Sequence, residues 1–282
     1  MRAGSRRAAA GRSQMLLVIA LLAAASRSAQ SQAPAECFDG GRAVQSLTAS
    51  QLAAVNRGGA VVTTTDLSDH RWPRVCVYQY IDAQPEQSLA VLVDYPLRPS
   101  YIPDVKASNV VPPTADSTTK RVAYLIHVLL RINETDTLRE VPHALDAPIG
   151  GYRLEWSSLF SSMAKSIAGS ATFVPWRKDS TSAAGTLMIY QQLVEPGSSL
   201  AGLPFIKSRG IDAVRNAAVA IAHQVENERR SQPRQIEQQV AELRRTLSLP
   251  YHGVSGFTGR AGLLPFIRGR GPFATSTSKS FK

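Results

Sequence analysis

Cysteine is almost absent: Cys37 and Cys76 are the only two in 282 residues. That excludes a disulfide-dense scaffold and a zinc or iron–sulfur centre built on several thiolates. The five histidines (His70, His127, His143, His223 and His252) are scattered, with no HExxH and no paired spacing on a helix, so no metal is expected. No glycine-rich phosphate loop and no βαβ rhythm occurs, and no cofactor is expected. Aromatic residues make up only 7% of the chain, with no dense basic stripe among them, which argues against nucleic acid as a partner. Acids are outnumbered, 21 against 32 Lys and Arg. Five of those arginines (Arg2, Arg6, Arg7, Arg12 and Arg27) precede residue 30, and setting them aside lowers the formal charge from +11 to a mild +6.

What is present begins with a leader. Four arginines precede Met15–Ala25, an uninterrupted apolar run of 11 residues. A bilayer span needs about 20, whereas the core of a secretory signal is of this length. Residues 1–35 therefore read as a signal peptide. Its cleavage point is left open between Ala23-Ala24-Ala25 and Ala33-Pro34-Ala35, and an uncleaved anchor is the alternative. The expected location is periplasmic or secreted. In an oxidising compartment Cys37 and Cys76 can form one disulfide, worth about 2–4 kcal/mol; two buried thiols are the alternative.

The remaining chain, 44% hydrophobic overall, suits a sizeable core. Residues 36–71 read as an N-terminal arm, with a short helix capped by Ser46 and a strand over 60–67. Residues 74–81 alternate strictly and predict another strand. A helix follows from Gln84 to Val93, with Asp82 as its candidate cap, and then a second short helix or turn holds Tyr101 and Ile102. Strands are predicted at 107–111, 120–132, 137–143, 151–158, 164–174 and 183–194, separated by turns that include Asn133-Glu134-Thr135-Asp136. Ile211, Val214, Ala218, Ile221 and Val225 recur at helical spacing and predict a long helix over 204–230. Ile236, Val240, Leu243 and Leu247 make a second amphipathic stretch within 231–282, whose remainder reads as a disordered tail. Residues 201–207 echo 261–268, as a docking peptide or as chance duplication.

This order defines an α+β protein in which a curved antiparallel sheet wraps around a long C-terminal helix. Such an arrangement leaves a concave, mostly apolar gap, the usual form of a small-molecule site.

Ile81-Asp82-Ala83 leading to Glu86, then Ala90-Val91-Leu92-Val93-Asp94-Tyr95, then Tyr101-Ile102-Pro103-Asp104-Val105-Lys106, resembles a stretch of the START-like (SRPBCC, helix-grip) superfamily of polyketide cyclases, coenzyme-Q-binding proteins and lipid-transfer domains. Thr186–Tyr190 followed by Glu195-Pro196 resembles its late strand and exit into the long helix. The resemblance covers roughly 72–228, within a domain read as 72–230, and implies a helix-grip fold. The arm at 36–71 is extra, and whether it closes the mouth of the cavity is open.

Candidate cavity residues are Tyr95, Tyr101, Tyr124, His127, Glu155, Met188 and Tyr190. Tyr124 and His127 have opposite parity on one strand, so at most one faces fully inward. The expected function is an exported carrier of a hydrophobic small molecule, a lipid or isoprenoid; peripheral membrane contact and oligomeric state are left open. A cyclase- or dehydratase-type enzyme would need a positioned base, for which His127 with Glu155 is the available pair. A non-catalytic adaptor is the third reading.

Overall fold

Strict alternation along most of the chain yields strands, and its change to helical spacing near residue 204 yields the long helix. The computed structural model of the chain describes residues 37–38, 47–112, 117–129, 132–147, 149–197 and 204–248, all within the compact unit Ala33–Gly253. The leader, Ser46, the repeat copy at 261–268 and the tail lie outside the described residues.

The elements run α1 (Ala49–Asn56), β1 (Val61–Thr65), β2 (Arg74–Ile81), α2 (Pro85–Leu92), a 3-10 turn (Tyr95–Leu97), α3 (Arg98–Tyr101), β3 (Val105–Val110), β4 (Lys120–Leu129), β5 (Ile132–Ala144), β6 (Tyr152–Ser161), β7 (Ala164–Trp176), β8 (Gly185–Pro196), α4 (Pro204–Ser231) and α5 (Pro233–Leu247). All eight strands form one antiparallel, curved and unclosed sheet in the order β1-β2-β8-β7-β6-β5-β4-β3. This is a helix-grip fold. No helix among the described residues is long and apolar enough to cross a membrane.

The sheet is covered on both sides, and β2 shows how. Every residue of β2 is buried. Val75, Val77 and Ile81 join the concave core with Met188, Phe173, Leu154, Val122 and the α4 stripe. Cys76, Tyr78 and Tyr80 join a second core on the convex side with Phe38, Val55, Val61, Leu187 and Ile189. Adjacent residues point to opposite faces, so a strand buried on both is apolar along most of its length; the exceptions are Arg74 and Gln79, and Gln79 Nε2 donates to the Gly58 carbonyl at 3.0 Å.

The N-terminal arm therefore packs on the convex face, away from the concavity. A disulfide between Cys37 and Cys76, with Cα atoms 6.1 Å apart, ties it there. Thr48 caps α1 through a reciprocal pair of hydrogen bonds with Gln51.

On the concave side α4 lays Ala218, Ile221 and Val225 fully into the core, while Ile211 and Val214 are only partly buried. Asp82 does not cap α2; Gln84 stands at that position. Instead the Asp82 carboxylate accepts from Arg229 at 3.1 Å, and its backbone N–H donates to Glu226 at 3.0 Å, which fastens the end of β2 to α4.

The expected turn at 133–136 belongs to β5. The cross-strand pair Leu129↔Ile132 places the reversal earlier, and Asn133, Glu134, Thr135 and Asp136 pair with β4 as far as Tyr124↔Asp136. Four polar residues in a row have the composition of a turn, yet their alternation fits the pleat, and cross-strand pairing decides.

Candidate functional site

The concave face carries a buried charge pair. Arg98 opens α3 only 5% exposed, held inward by the Tyr95–Leu97 turn, and Glu140 lies opposite on β5 at 1% exposure. A lone guanidinium at such depth would be costly, and this one is fully engaged. Its two terminal nitrogens donate to the two Glu140 oxygens, each at 2.9 Å, in the bidentate arrangement, and Nε donates to the Leu92 carbonyl at 2.8 Å. The Tyr124 hydroxyl donates to Glu140 and accepts from Arg98. The Tyr95 ring lies 4.6 Å from the guanidinium carbon and the Tyr124 ring 5.7 Å. Burial works against the Arg98 cation, but Glu140 beside it more than offsets this and holds the guanidinium pKa above its ordinary value.

Tyrosines surround this pair. Burial raises the hydroxyls of Tyr95, Tyr101 and Tyr124 above the usual tyrosine range and that of Tyr190 to about 12. All four are protonated near neutrality and able to donate. Tyr190 packs on Trp156, ring centres 5.2 Å apart, and the Trp156 indole N–H donates to Gln192 at 3.0 Å. Gly169 pairs across the sheet with Trp156, and a Cβ there would lie 2.5 Å from the indole, so the missing side chain is what admits the ring.

Of the residues singled out in sequence, Tyr95, Tyr101, Tyr124, Met188 and Tyr190 lie on the concave side. His127 and Glu155 do not join them. His127 has the opposite parity to Tyr124, and its Nδ1 lies 3.3 Å from Asn133 Oδ1. Glu155 alternates with the inward Leu154 and Trp156; its side chain is 49% exposed and pairs with Arg153 at 2.9 Å. Their partners on β5 are Asn133 and Val141. At about 3.3 Å per residue the two are on the order of 26 Å apart along the sheet.

Sequence reasoning passed over Arg98 and Glu140. The signal was an arginine inside the otherwise apolar Tyr95–Pro99 break, and an acid on the same parity as Leu138. It also passed over Asp136, 3% exposed on that parity, whose carboxyl is raised to about 7 by burial and by the charge of Glu134, opposed by a hydrogen bond from Ser161. Among the described residues no group of three or more His, Cys, Asp or Glu is placed to hold a metal ion.

Two cavities adjoin this face. Apart from them, Tyr101, Ile102, Val105, Ile126, Tyr190, Val194, Ile211 and Val214 pack against the concave core and stay only partly buried. A cavity of about 490 Å³ opens where Gln79 and Tyr80 of β2 meet Ala222, His223 and Glu226 of α4. Another of about 430 Å³ lies beneath α5, between Leu243 and Gln239 on one side and Tyr95, Val110 and Pro142 on the other.

No family profile matches the sequence, and no curated protein matches it. Solved structures do. A STAR-related lipid transfer protein from Xanthomonas axonopodis is 15% identical, covers 59% of this chain and 93% of its own, and superposes with a TM-score of 0.50. Human STARD10 is 13% identical over 69% of this chain and 81% of its own, TM-score 0.46. The Zhui aromatase/cyclase of a Streptomyces species is 15% identical over 56% and 96%, TM-score 0.43. At these identities the likeness shows the fold: the chain has the START-like, helix-grip architecture.

Proposed function

We propose that this chain is an exported binding or carrier protein for a hydrophobic small molecule, a lipid or isoprenoid, held between the concave sheet and α4 in a domain spanning 72–230. The observation that carries this reading is the set of apolar side chains, from Tyr101 to Val214, that pack on the concave core yet stay only partly buried, together with the protonated tyrosine hydroxyls beside them. Burying about 300 Å² of apolar ligand surface there is worth roughly 7 kcal/mol before the costs of ordering. Tyr101 and Tyr190 supply polar handles at depth. The buried ion pair of this face, Arg98–Glu140, satisfies itself and shapes the wall. The disulfide accords with an oxidising compartment, and a START-like fold accords with a ligand-holding concavity.

A fluorescent apolar probe such as N-phenyl-1-naphthylamine tests the location. It should bind the wild-type protein and lose at least tenfold in affinity in Val214→Trp, which fills the gap. Unchanged binding in that variant contradicts the placement.

One observation favours a second reading, a cyclase- or dehydratase-type enzyme. Asp136 shares the face of Tyr124 and carries a carboxyl raised to about 7, the range in which proton transfer is efficient. Recovery of a ligand chemically altered by wild type but not by Asp136→Asn would favour the enzyme over the carrier.

A further inference from the structure

The β6–β7 hairpin ends in an exposed, apolar tip. Of the five large hydrophobic side chains exposed among the described residues, three stand on it: Leu159 at 51%, Phe160 at 56% and Met163 at 36%. Residues 156–164 carry no charge at all. The exposure is built into the strands. Leu138 pairs with Ser158 and Thr137 with Phe160, so Leu159 is the extra residue of a β-bulge. In a regular strand one of two consecutive side chains would face the concavity, whereas the bulge re-aims the chain and leaves both Leu159 and Phe160 exposed. A second bulge lies across the turn. There Ala164 pairs with Pro196 and Ser166 with Glu195, and the extra residue is the exposed Lys165.

The backbone of the turn is satisfied from within. The Ser162 N–H donates to the Thr135 carbonyl at 3.0 Å, and the Met163 and Ala164 N–H groups donate to Ser161 Oγ at 3.3 and 2.8 Å. The Met163 carbonyl accepts from the Gly197 N–H at 2.9 Å, and Ser162 Oγ accepts from the Thr135 N–H at 3.0 Å. A segment that enters hydrocarbon must pair its polar backbone groups internally, because lipid tails supply no partner. This turn does so while its apolar side chains point outward. Three side chains on a projecting turn also offer little area against the roughly 1,200–2,000 Å² that a stable protein interface buries, whereas insertion needs only that they reach the acyl boundary. Phe205, 57% exposed in the first turn of α4, stands at the same end of the sheet: Lys207, two residues on, pairs with Asp66 at 3.5 Å, just past the end of β1.

We propose that this end of the molecule docks on a lipid bilayer, with Leu159, Phe160 and Met163 in the acyl boundary and Lys165 at headgroup level, its stem lying along the apolar surface. The docking does not depend on what the concavity holds. One consequence does rest on the carrier reading: Val194, partly buried on the concave face, pairs with Ile167 close to the tip, so a docked bilayer would adjoin the proposed ligand site.

Flotation of the protein, purified from its own host, with phosphatidylcholine vesicles tests this. Wild type should float with the vesicles, and Leu159→Ser combined with Phe160→Ser should lower its partition coefficient at least tenfold, the scale of two apolar side chains withdrawn from lipid. A protein that merely extracts lipid stays at the bottom of the gradient. Both positions are exposed, so the double variant should keep the wild-type thermal midpoint, and whatever remains of the leader is the same in both proteins. Phe160→Trp gives a second readout: lipids brominated in the acyl chain should quench its emission beyond the quenching of the native tryptophans. Wild type that stays unbound, equal partitioning of wild type and double variant, or Phe160→Trp emission untouched by brominated lipid overturns the proposal. So does a dimer in sedimentation velocity that the double variant dissolves, which would assign the tip to a second copy of the chain. The reading for the concavity stands or falls separately, on the Val214→Trp result.

Discussion

Arg98 and Glu140 decide most at the scale of single residues. Each is tolerable in the interior because the other is present. Glu140→Gln leaves the guanidinium buried without its counter-charge and should destabilise the protein by about 3–5 kcal/mol, read as a lower urea midpoint. A loss below about 1 kcal/mol would mean that water reaches the pair. Asp136 makes a prediction of opposite character. Its folded pKa of about 7 lies above the reference value of 3.8, so the folded state holds this proton more tightly than the unfolded chain does. The associated stability is full below pH 4 and is lost as pH rises towards 7. Asp136→Asn should flatten the fall in stability between pH 4 and 7, as followed by denaturation at a series of pH values; an unchanged slope contradicts the assignment. Tyr95, Tyr101, Tyr124 and Tyr190 were legible in sequence because each sits in a recognisable element next to apolar neighbours. The Arg98–Glu140 pair was not, since nothing local in a sequence states that residues 42 apart will meet.

Among the elements, β2, β6, β7, β8 and α4 were readable from periodicity, because one or both faces are buried and the side-chain pattern records it. β5 was misread at its start, where four polar residues, two of them exposed, are paired along the backbone with β4. α5 was readable as amphipathic, but not what it covers: Ile236 and Leu243 are deeply buried against elements more than a hundred positions away. Trp156 and Gly169 show the same dependence on distant pairing. Gly169→Ala puts a methyl into the indole and should cost about 1–3 kcal/mol, with a shift in tryptophan emission as the ring is displaced. Normal emission and stability would show that the sheet yields there.

For the whole molecule, the disulfide and the convex core with Phe38, Val55 and Val61 fasten the arm chiefly to the face opposite the concavity. Cys37→Ser with Cys76→Ser should lower stability by about 2–4 kcal/mol without changing uptake of an apolar probe. A loss of uptake would show that the two faces of the sheet are coupled. The sequence's segment order was enough to expect a gripped helix and a gap. It could not show on which face the arm lies, because both faces of β2 are largely apolar and periodicity does not distinguish them. The central claim is that the concavity holds an apolar molecule. Native mass spectrometry of protein purified from its own host, followed by solvent extraction, tests that most directly. The account predicts a stoichiometric, unmodified lipid or isoprenoid released on denaturation; protein that emerges empty and takes up no apolar probe would contradict it.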